Sequence, residues 1–208
     1  MHKETLATQT ARVYGLVAES GITAPQTGLY LAGGTALALE FGHRQSEDLD
    51  FFTKAELLPE HITEQLGKLG RLEVAQEEGR TINAVLDDVK ISFISFPYSE
   101  VFPRILFEGI DLADERDIAA MKLSAAASRG AKKDLIDLYV LMQKYSLEQL
   151  LEFFDIMFAG KQYNHMHILK SLAYFEDADR DPDPIMMVQI EWEDVKTKLM
   201  AEAHRLVA

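Results

Sequence analysis

Two aspartates, Asp48 and Asp50, stand on either side of Leu49 at the start of the segment DLDFF. Alternate residues of a β-strand point to the same side, so both carboxylates would be able to reach one divalent cation. Burying two acids beside Phe51 and Phe52 is costly unless a cation or another partner neutralises them. The pattern therefore favours a metal site, and the alternative is a strand end whose acids are simply solvated.

A glycine pair and a threonine, Gly33-Gly34-Thr35, precede the aspartates and lie between a predicted strand and a predicted helix. Such a turn would present backbone N–H groups and a helix N-terminus to phosphates. The stretch does not match G-x-x-x-x-G-K-[ST] or G-x-G-x-x-G, which disfavours P-loop and dinucleotide-binding proteins, and a glycine pair also serves as a plain turn. Taken with the aspartates, the turn predicts a site for a metal-bound nucleoside triphosphate.

The elements that must position these residues form an α/β (α+β) first half, residues 1–110, and a helical second half, residues 111–208. Patterns of alternation predict a mixed sheet with strands over 28–32, 48–53, 71–77, 81–86 and 89–96. Helical spacing and caps predict flanking helices over 4–20, 35–41 and 59–69. The second half predicts a C-terminal helical bundle with helices over 114–129, 132–145, 147–158, 164–174 and 186–206.

The composition is that of a globular protein with a sizeable core, since 48% of the 208 residues are hydrophobic. The sequence has no run of about eighteen apolar residues and no apolar h-region at its N-terminus, which argues against a membrane span and a signal peptide. The absence of cysteine excludes disulfides, thiolate zinc sites and cysteine nucleophiles. These features predict a cytoplasmic protein that does not act at a membrane.

The order of the two motifs resembles that of a known superfamily. Gly33-Gly34, thirteen intervening residues and Asp48-Leu49-Asp50-Phe51 match the signature of the polymerase-beta-like nucleotidyltransferases. More narrowly, AGGTALAL, GHR and DLDFF resemble the AbiEii/AbiGii toxin family of nucleotidyltransferases. The later stretch DIAAMKLSAAASRGAKKDLIDLYVL is similar to the second block of that family. The resemblance extends over most of the chain.

The resemblance implies a Mg²⁺-dependent nucleotidyltransferase that moves NMP from an NTP such as ATP or GTP to an RNA, for instance a tRNA, or to a protein. It also implies the toxin of a toxin–antitoxin pair, with an antitoxin protein as partner. Asp48 and Asp50 would bind the metal. The implied catalytic residues are Asp48, Asp50, Lys122 and Asp134. The implied nucleotide-binding residues are Gly33, Gly34, Thr35, Arg44, Ser46 and Lys122.

One position departs from the superfamily pattern. A third carboxylate on a later strand often deprotonates the acceptor, and in VKISFIS the expected inward position is occupied by Ser92. Serine cannot bind a metal as a carboxylate does, so another group or the substrate itself would act as the base. The alternative function is a catalytically reduced nucleotide-binding or regulatory module of the same fold.

The formal net charge of −13 argues against a generally basic nucleic-acid-binding surface. Any contact with an acceptor RNA must then be local, and the best local cluster is Arg129, Lys132 and Lys133. Such a run is more often a solvated surface at a helix junction, and that is the interpretation we favour. A third possibility, a haloacid-dehalogenase-like phosphatase with its nucleophile in DLDFFT, is disfavoured because Gln45-Ser46-Glu47 do not form the apolar strand that such a fold requires.

Overall fold

The chain forms two compact units, Met1–Asp114 and Glu115–Ala208. The computed structural model describes residues 1–78, 81–98, 100–161 and 163–207. The first unit combines a β-sheet with helices and the second unit is helical, so the predicted fold class is confirmed. Strand residues continue to Leu112, which places the boundary slightly later than the predicted residue 110.

A sheet of seven strands forms the centre of the described part of the first unit. Its strands are β1 (Tyr30–Leu31), β2 (Leu49–Thr53), β3 (Leu72–Glu78), β4 (Thr81–Leu86), β5 (Val89–Ser95), β6 (Ile105–Phe107) and β7 (Ile110–Leu112). The α-helices of this unit are α1 (Thr8–Ser20), α2 (Gly33–Phe41) and α3 (Pro59–Gly67). The sequence predicted about five strands, and the two that it missed, β6 and β7, have three residues each, too few to show alternation.

The strand order β3-β4-β5-β2-β1-β7-β6 places β2 near the middle of the sheet. β2 runs parallel to β5 and antiparallel to β1, so the sheet is mixed, as predicted. β4 and β5 form the predicted hairpin, and both residues of its turn have positive φ, 48° at Asp87 and 68° at Asp88. Positive φ at both central residues is typical of a type I′ turn, which matches the twist of the flanking strands.

β2 separates an apolar face from a more open one. Leu49 and Phe51 are fully buried, and the Phe51 ring stacks on that of Phe93 in β5 with a centroid distance of 5.3 Å. Asp50, which points to the opposite face, is only half-buried. The alternation anticipated for DLDFF therefore anchors the strand through its apolar residues and leaves the acid accessible.

The second unit is a bundle of α4 (Glu115–Ser128), α5 (Lys132–Leu141), α6 (Leu147–Met157), α7 (His165–Leu172) and α8 (Trp192–Val207). α4 packs against α5, α6 and α7, and α8 packs against α5 and α7. A capping box begins α6, since the Ser146 hydroxyl accepts from the backbone N–H of Gln149 and the Gln149 side chain accepts from the backbone N–H of Ser146. In the parts of the chain that the structure describes, no helix is both long enough and apolar enough to cross a membrane.

Three predicted helix starts were wrong by two residues or more. α8 begins at Trp192 and not at residue 186, because Glu193 and Asp194 supply the acidic first turn that suits a helix N-terminus. α1 begins at Thr8 and not at residue 4, since Lys3–Thr5 form a separate 3-10 turn. α2 begins at Gly33, so the glycine pair forms the first turn of the helix and is not a loop before it.

Candidate nucleotide and metal site

The first turn of α2 lies against the side chain of Asp50. Gly33 has φ of +68°, a conformation that favours glycine, and a Cβ added there would lie 3.5 Å from Oδ2 of Asp50. The backbone N–H of Ala32 donates to the carbonyl of Asp50 at 3.1 Å. The predicted phosphate-binding turn and the predicted metal ligand are therefore brought together by main-chain geometry.

The N-terminus of α2 has the properties of an anion site. The first N–H groups of an α-helix have no partner within the helix, and here they belong to Gly33, Gly34 and Thr35. The helix dipole adds partial positive charge at the same end. A phosphate can thus be bound by backbone groups alone, with no lysine in the turn.

Asp48 and Asp50 are both half-buried, Asp50 within β2 and Asp48 immediately before it. Mg²⁺ is usually bound by one or two carboxylates together with substrate phosphates and waters. Among the described residues no group of three or more acidic, histidine or cysteine side chains is placed to hold a metal. Two carboxylates beside the predicted phosphate-binding turn have the chemistry for a metal that arrives with a triphosphate, and this assignment stays a prediction.

The hydroxyls of Thr35 and Ser46, both predicted to contact the nucleotide, are buried and bonded to each other. Their oxygen atoms lie 2.7 Å apart, and Thr35 also donates to the carbonyl oxygen of Asp48. Arg44, a further predicted phosphate ligand, is buried with 4% exposure, and its Nη1 donates to the carbonyl of Gln45 at 3.2 Å. These three side chains line the loop that leads into Asp48.

Ser92 occupies the position on β5 directly opposite Asp50 on β2. The same position on β5 pairs with Asn83 on β4. Directly paired residues point to the same face of a sheet, so an acid, a hydroxyl and an amide form one row. The sequence anticipated Ser92 but missed Asn83, because the register between strands is not visible in the sequence alone.

Lys122 of α4 reaches two aspartates of α5. Its Nζ lies 2.8 Å from Oδ1 of Asp134 and 2.5 Å from Oδ2 of Asp137. Both carboxylates are fully buried, and the lysine side chain is 6% exposed. The sequence singled out Lys122 and Asp134 but missed Asp137. The i, i+3 spacing of the two aspartates was the available signal, because residues at that spacing share a helix face.

Arg129 completes this network. Its Nε and Nη2 donate to the two carboxylate oxygens of Asp134 at 2.7 and 3.1 Å, which is a bidentate pair. Burial raises the pKa of Asp134, but the charges of Lys122 and Arg129 outweigh burial and hold that pKa below its usual range. The buried carboxylate is therefore kept ionised by two cations.

Comparison with known proteins assigns the family. The family model of the nucleotidyl transferase AbiEii toxin, type IV toxin–antitoxin system, matches residues 22–205. The chain belongs to this family. The AbiEii-family protein is thus a nucleotidyltransferase, and the resemblance seen in its motifs is confirmed.

Relatives of the AbiEii-family protein support the same assignment. An uncharacterized protein of Aquifex aeolicus is 39% identical over 181 residues, covering 80% of this chain and 82% of the relative. JHP933 from Helicobacter pylori superposes with a TM-score of 0.59 at 19% identity, covering 97% of this chain and 93% of that one. MenT4, nucleotidyltransferase toxin Rv2826c from Mycobacterium tuberculosis H37Rv, gives a TM-score of 0.56 at 17% identity, covering 92% and 83%. At these identities the two solved structures show a shared fold.

The basic run of the AbiEii-family protein is only in part the solvated surface that we predicted, because Lys132 is buried. Lys132 is 5% exposed, and its Nζ donates to the carbonyl of Asp181 at 3.0 Å and to Oδ1 of Asp183 at 2.9 Å. The backbone N–H of Lys132 donates to Oδ2 of Asp181, which caps α5 from outside the helix. Arg129 and Lys133 are exposed, and Arg129 is paired with Asp134.

Proposed function

We propose that this nucleotidyltransferase is Mg²⁺-dependent and transfers NMP from a nucleoside triphosphate to an RNA or protein acceptor. The observation that carries the proposal is the contact between the first turn of α2 and Asp50, 3.5 Å from a Cβ built at Gly33 to Oδ2 of Asp50. This places an anion-binding helix end beside a pair of carboxylates. A metal-bound triphosphate is the ligand that requires both.

The residues divide the task between them. Backbone N–H groups of Gly33, Gly34 and Thr35 bind the phosphates, and Asp48 and Asp50 hold the metal. Mg²⁺, when bound, supplies positive charge to the phosphoryl oxygens as the bond to the leaving pyrophosphate breaks. Because hydrogen bonds join the start of α2 to the backbone of Asp48 and Asp50, the chain fixes the phosphates and the metal ligands relative to each other before reaction.

The second unit enters the proposal through Lys122. A contact of Lys122 with the triphosphate, with Asp134 as a catalytic residue, is what the family resemblance implies, and it stays a prediction. The ion pairs of Lys122 with Asp134 and Asp137 support a fixed position for its amine. A phosphate contact from Arg44 also stays a prediction, whereas the Ser46 hydroxyl, predicted for the same role, is hydrogen-bonded to the Thr35 hydroxyl.

We propose further that the protein is the toxin of a toxin–antitoxin pair. The family description, a toxin of a type IV system, supports this role. Induced expression should then arrest growth of a bacterial host, and Asp50→Ala should relieve the arrest. Arrest that persists in the Asp50→Ala variant would separate toxicity from nucleotidyl transfer.

The transfer activity is tested with α-labelled ribonucleoside triphosphates, each supplied in turn with Mg²⁺ and a cell extract. We expect label in a nuclease-sensitive or a protease-sensitive fraction, which identifies the acceptor class. Asp48→Ala and Asp50→Ala should abolish the label. Asp88→Asn, which alters an exposed acid of the same unit, serves as the control and should retain it.

A nucleotide-binding or regulatory module with reduced turnover is the second candidate, and the observation that favours it is Ser92 opposite Asp50. Such a module would turn over slowly, because the row formed by Asp50, Ser92 and Asn83 adds no third acid to Asp48 and Asp50 that could accept the proton from the acceptor. Nucleotide binding without transfer to any acceptor in the same extract would support this candidate and overturn the first.

A further inference from the structure

We propose that Thr35 and Ser46 are positioning residues whose hydroxyls lock Asp48 to the first turn of α2. This inference rests on the proposed function, because it assigns these side chains to the geometry of the metal site and not to the nucleotide itself. It concerns the segment from Arg44 to Asp48, which we call the entry loop. The two hydroxyls connect this loop to the helix that we assign to the phosphates.

The direction of the hydrogen bonds follows from the acceptors. The Asp48 carbonyl can only accept, so the Thr35 hydroxyl donates its one proton there. The Thr35 oxygen, 2.7 Å from Oγ of Ser46, must then accept from Ser46. Each hydroxyl has a single proton to give, and both protons are used inside the protein. Neither hydroxyl is therefore set up to donate to a phosphate.

Burial makes this chain of hydrogen bonds a strong constraint. Thr35 is 3% exposed and Ser46 is 7% exposed. A buried polar group that loses its partner costs more than the hydrogen bond itself contributes, because water does not replace the partner. The hydrogen bond from Ser46 to Thr35 and the one from Thr35 to Asp48, which together we call the relay, therefore keep this one donor-to-acceptor direction.

The N-terminal segment holds the entry loop from a second side. The backbone N–H of Ser46 donates to the carbonyl of Thr5 at 2.8 Å, and the N–H of Ala7 donates to the carbonyl of Ser46 at 3.3 Å. The hydroxyl of Thr10, in α1, donates to the carbonyl of Glu47 at 2.9 Å. Successive residues before Asp48 are thus fixed by backbone or hydroxyl contacts.

The backbone of each aspartate is in this way tied to the start of α2. The backbone carbonyl of Asp50 accepts from the N–H of Ala32, the residue just before α2, and the backbone carbonyl of Asp48 accepts from the Thr35 hydroxyl. A metal that bridges carboxylates and phosphates needs both sets of oxygens at fixed separations, and small displacements are costly. The relay therefore positions the aspartates for the metal. Its loss should weaken nucleotide binding in the presence of the metal and leave binding without the metal unchanged.

The experiment compares Thr35→Val, which removes the hydroxyl, with Thr35→Ser, which keeps it. Nucleotide affinity is measured by calorimetry with Mn²⁺ and again with EDTA, using a non-hydrolysable triphosphate. Amide hydrogen exchange of the peptide covering residues 44–52 is measured without any ligand. Thr23→Val is the matched control, because the Thr23 hydroxyl is also buried but has no hydrogen-bond partner among the described residues.

For Thr35→Val we expect about a tenfold loss of affinity with Mn²⁺, the effect of one buried hydrogen bond, and unchanged affinity in EDTA. Exchange of the 44–52 peptide should rise, while Thr35→Ser restores both readouts and Thr23→Val changes neither. Ser46→Ala should act in the same direction, and combining it with Thr35→Val should add little, since both break one relay.

Two results would overturn the inference. An equal loss of affinity in Mn²⁺ and EDTA would show that the Thr35 hydroxyl contacts phosphate. Unchanged exchange of the 44–52 peptide in Thr35→Val would show that the relay does not hold the loop, whatever the nucleotide data. Failure of the proposed function is distinguishable, because the unaltered protein would then bind no nucleotide with Mn²⁺ although exchange in the Thr35→Val variant still rises.

Discussion

The two units contain two pairs of aspartates with opposite surroundings. Asp48 and Asp50 of the first unit are half-buried beside a helix N-terminus. Asp134 and Asp137 of the second unit are fully buried and share the amine of Lys122. The first pair lies where a cation from solution can reach it, and the second is neutralised by cations of the chain itself.

The difference shows that acid pairs at similar spacing are distinguished by their burial. An ionised carboxylate in an apolar interior is stable only with a charged partner, so the second pair must be matched by the fold. A half-buried pair is also accessible to solvent, from which a metal ion can reach it. We therefore assign the ligand-binding role to the first pair and predict that the two pairs respond differently to substitution.

The largest effect should follow Asp50→Asn. Loss of one metal carboxylate removes about 4 kcal/mol of transition-state stabilisation, which corresponds to roughly a thousandfold slower transfer. The free energy of unfolding should change by less than about 1 kcal/mol because the side chain is half-buried and on the open face of β2. Transfer rates test the predicted loss of activity, and urea unfolding of the same preparation tests the predicted free energy of unfolding. A loss of stability as large as the loss of activity would contradict the comparison.

Asp137→Asn should act in the opposite way. Removing one partner of a buried ion pair destabilises a protein by about 3–5 kcal/mol, so we expect a loss of this order in urea unfolding. The control is Arg180→Met, which breaks the pair of Arg180 with Glu176 in the same unit. Their side chains are 71% and 61% exposed, and the cost of breaking an exposed pair is below about 1 kcal/mol. Similar losses in the two variants would show that burial does not distinguish these pairs.

Acid should weaken the protein through Asp134. Its pKa is below the usual range in the folded state, so as the pH falls the unfolded chain binds the proton first. The stabilisation is complete above the unfolded pKa of about 3.9 and is lost as the pH falls through the lower folded pKa. Urea unfolding between about pH 5 and pH 3 should show this decline, and Asp134→Asn should make it shallower. An equally steep decline in the variant would assign it to other groups.

The smallest effect should come from Ser92→Asp. A carboxylate opposite Asp50 would add a third acid to Asp48 and Asp50. More negative charge among the ligands strengthens cation binding. We expect about a tenfold gain in Mn²⁺ affinity, equivalent to about 1.4 kcal/mol. Val74→Asp, which places a carboxylate on an exposed position of the edge strand β3, is the control and should leave metal affinity unchanged. No gain in Ser92→Asp would show that this position does not face the metal.

Much of the first unit could be predicted from the sequence, because its signals are local. The alternation of DLDFF predicted a strand with both acids on one side, and β2 keeps the alternation but begins at Leu49, so Asp48 lies just before the strand. The pair Gly33-Gly34 predicted a turn, but the sequence did not show that Gly33 already belongs to α2. Helix propensity disfavours glycine, and the φ of +68° at Gly33 explains why glycine suits the first turn.

The contacts that the sequence did not reveal are those set by register and packing. Asn83 and Ser92 become neighbours only through the pairing of β4 with β5. Lys132 belongs to a basic run in the sequence but is buried against Asp181 and Asp183, far along the chain. Long-range partners of polar residues decide whether a charge is solvated or structural, and the local pattern does not contain them.

The most direct test of the central claim is a Mn²⁺ titration followed by electron paramagnetic resonance, with a non-hydrolysable triphosphate present. We predict that the unaltered protein binds Mn²⁺ with the nucleotide and that Asp50→Asn abolishes this binding. Asp88→Asn, an exposed acid in the same unit, should bind as the unaltered protein does. Mn²⁺ binding by Asp50→Asn at the affinity of the unaltered protein would contradict the assignment of the half-buried pair as the metal site.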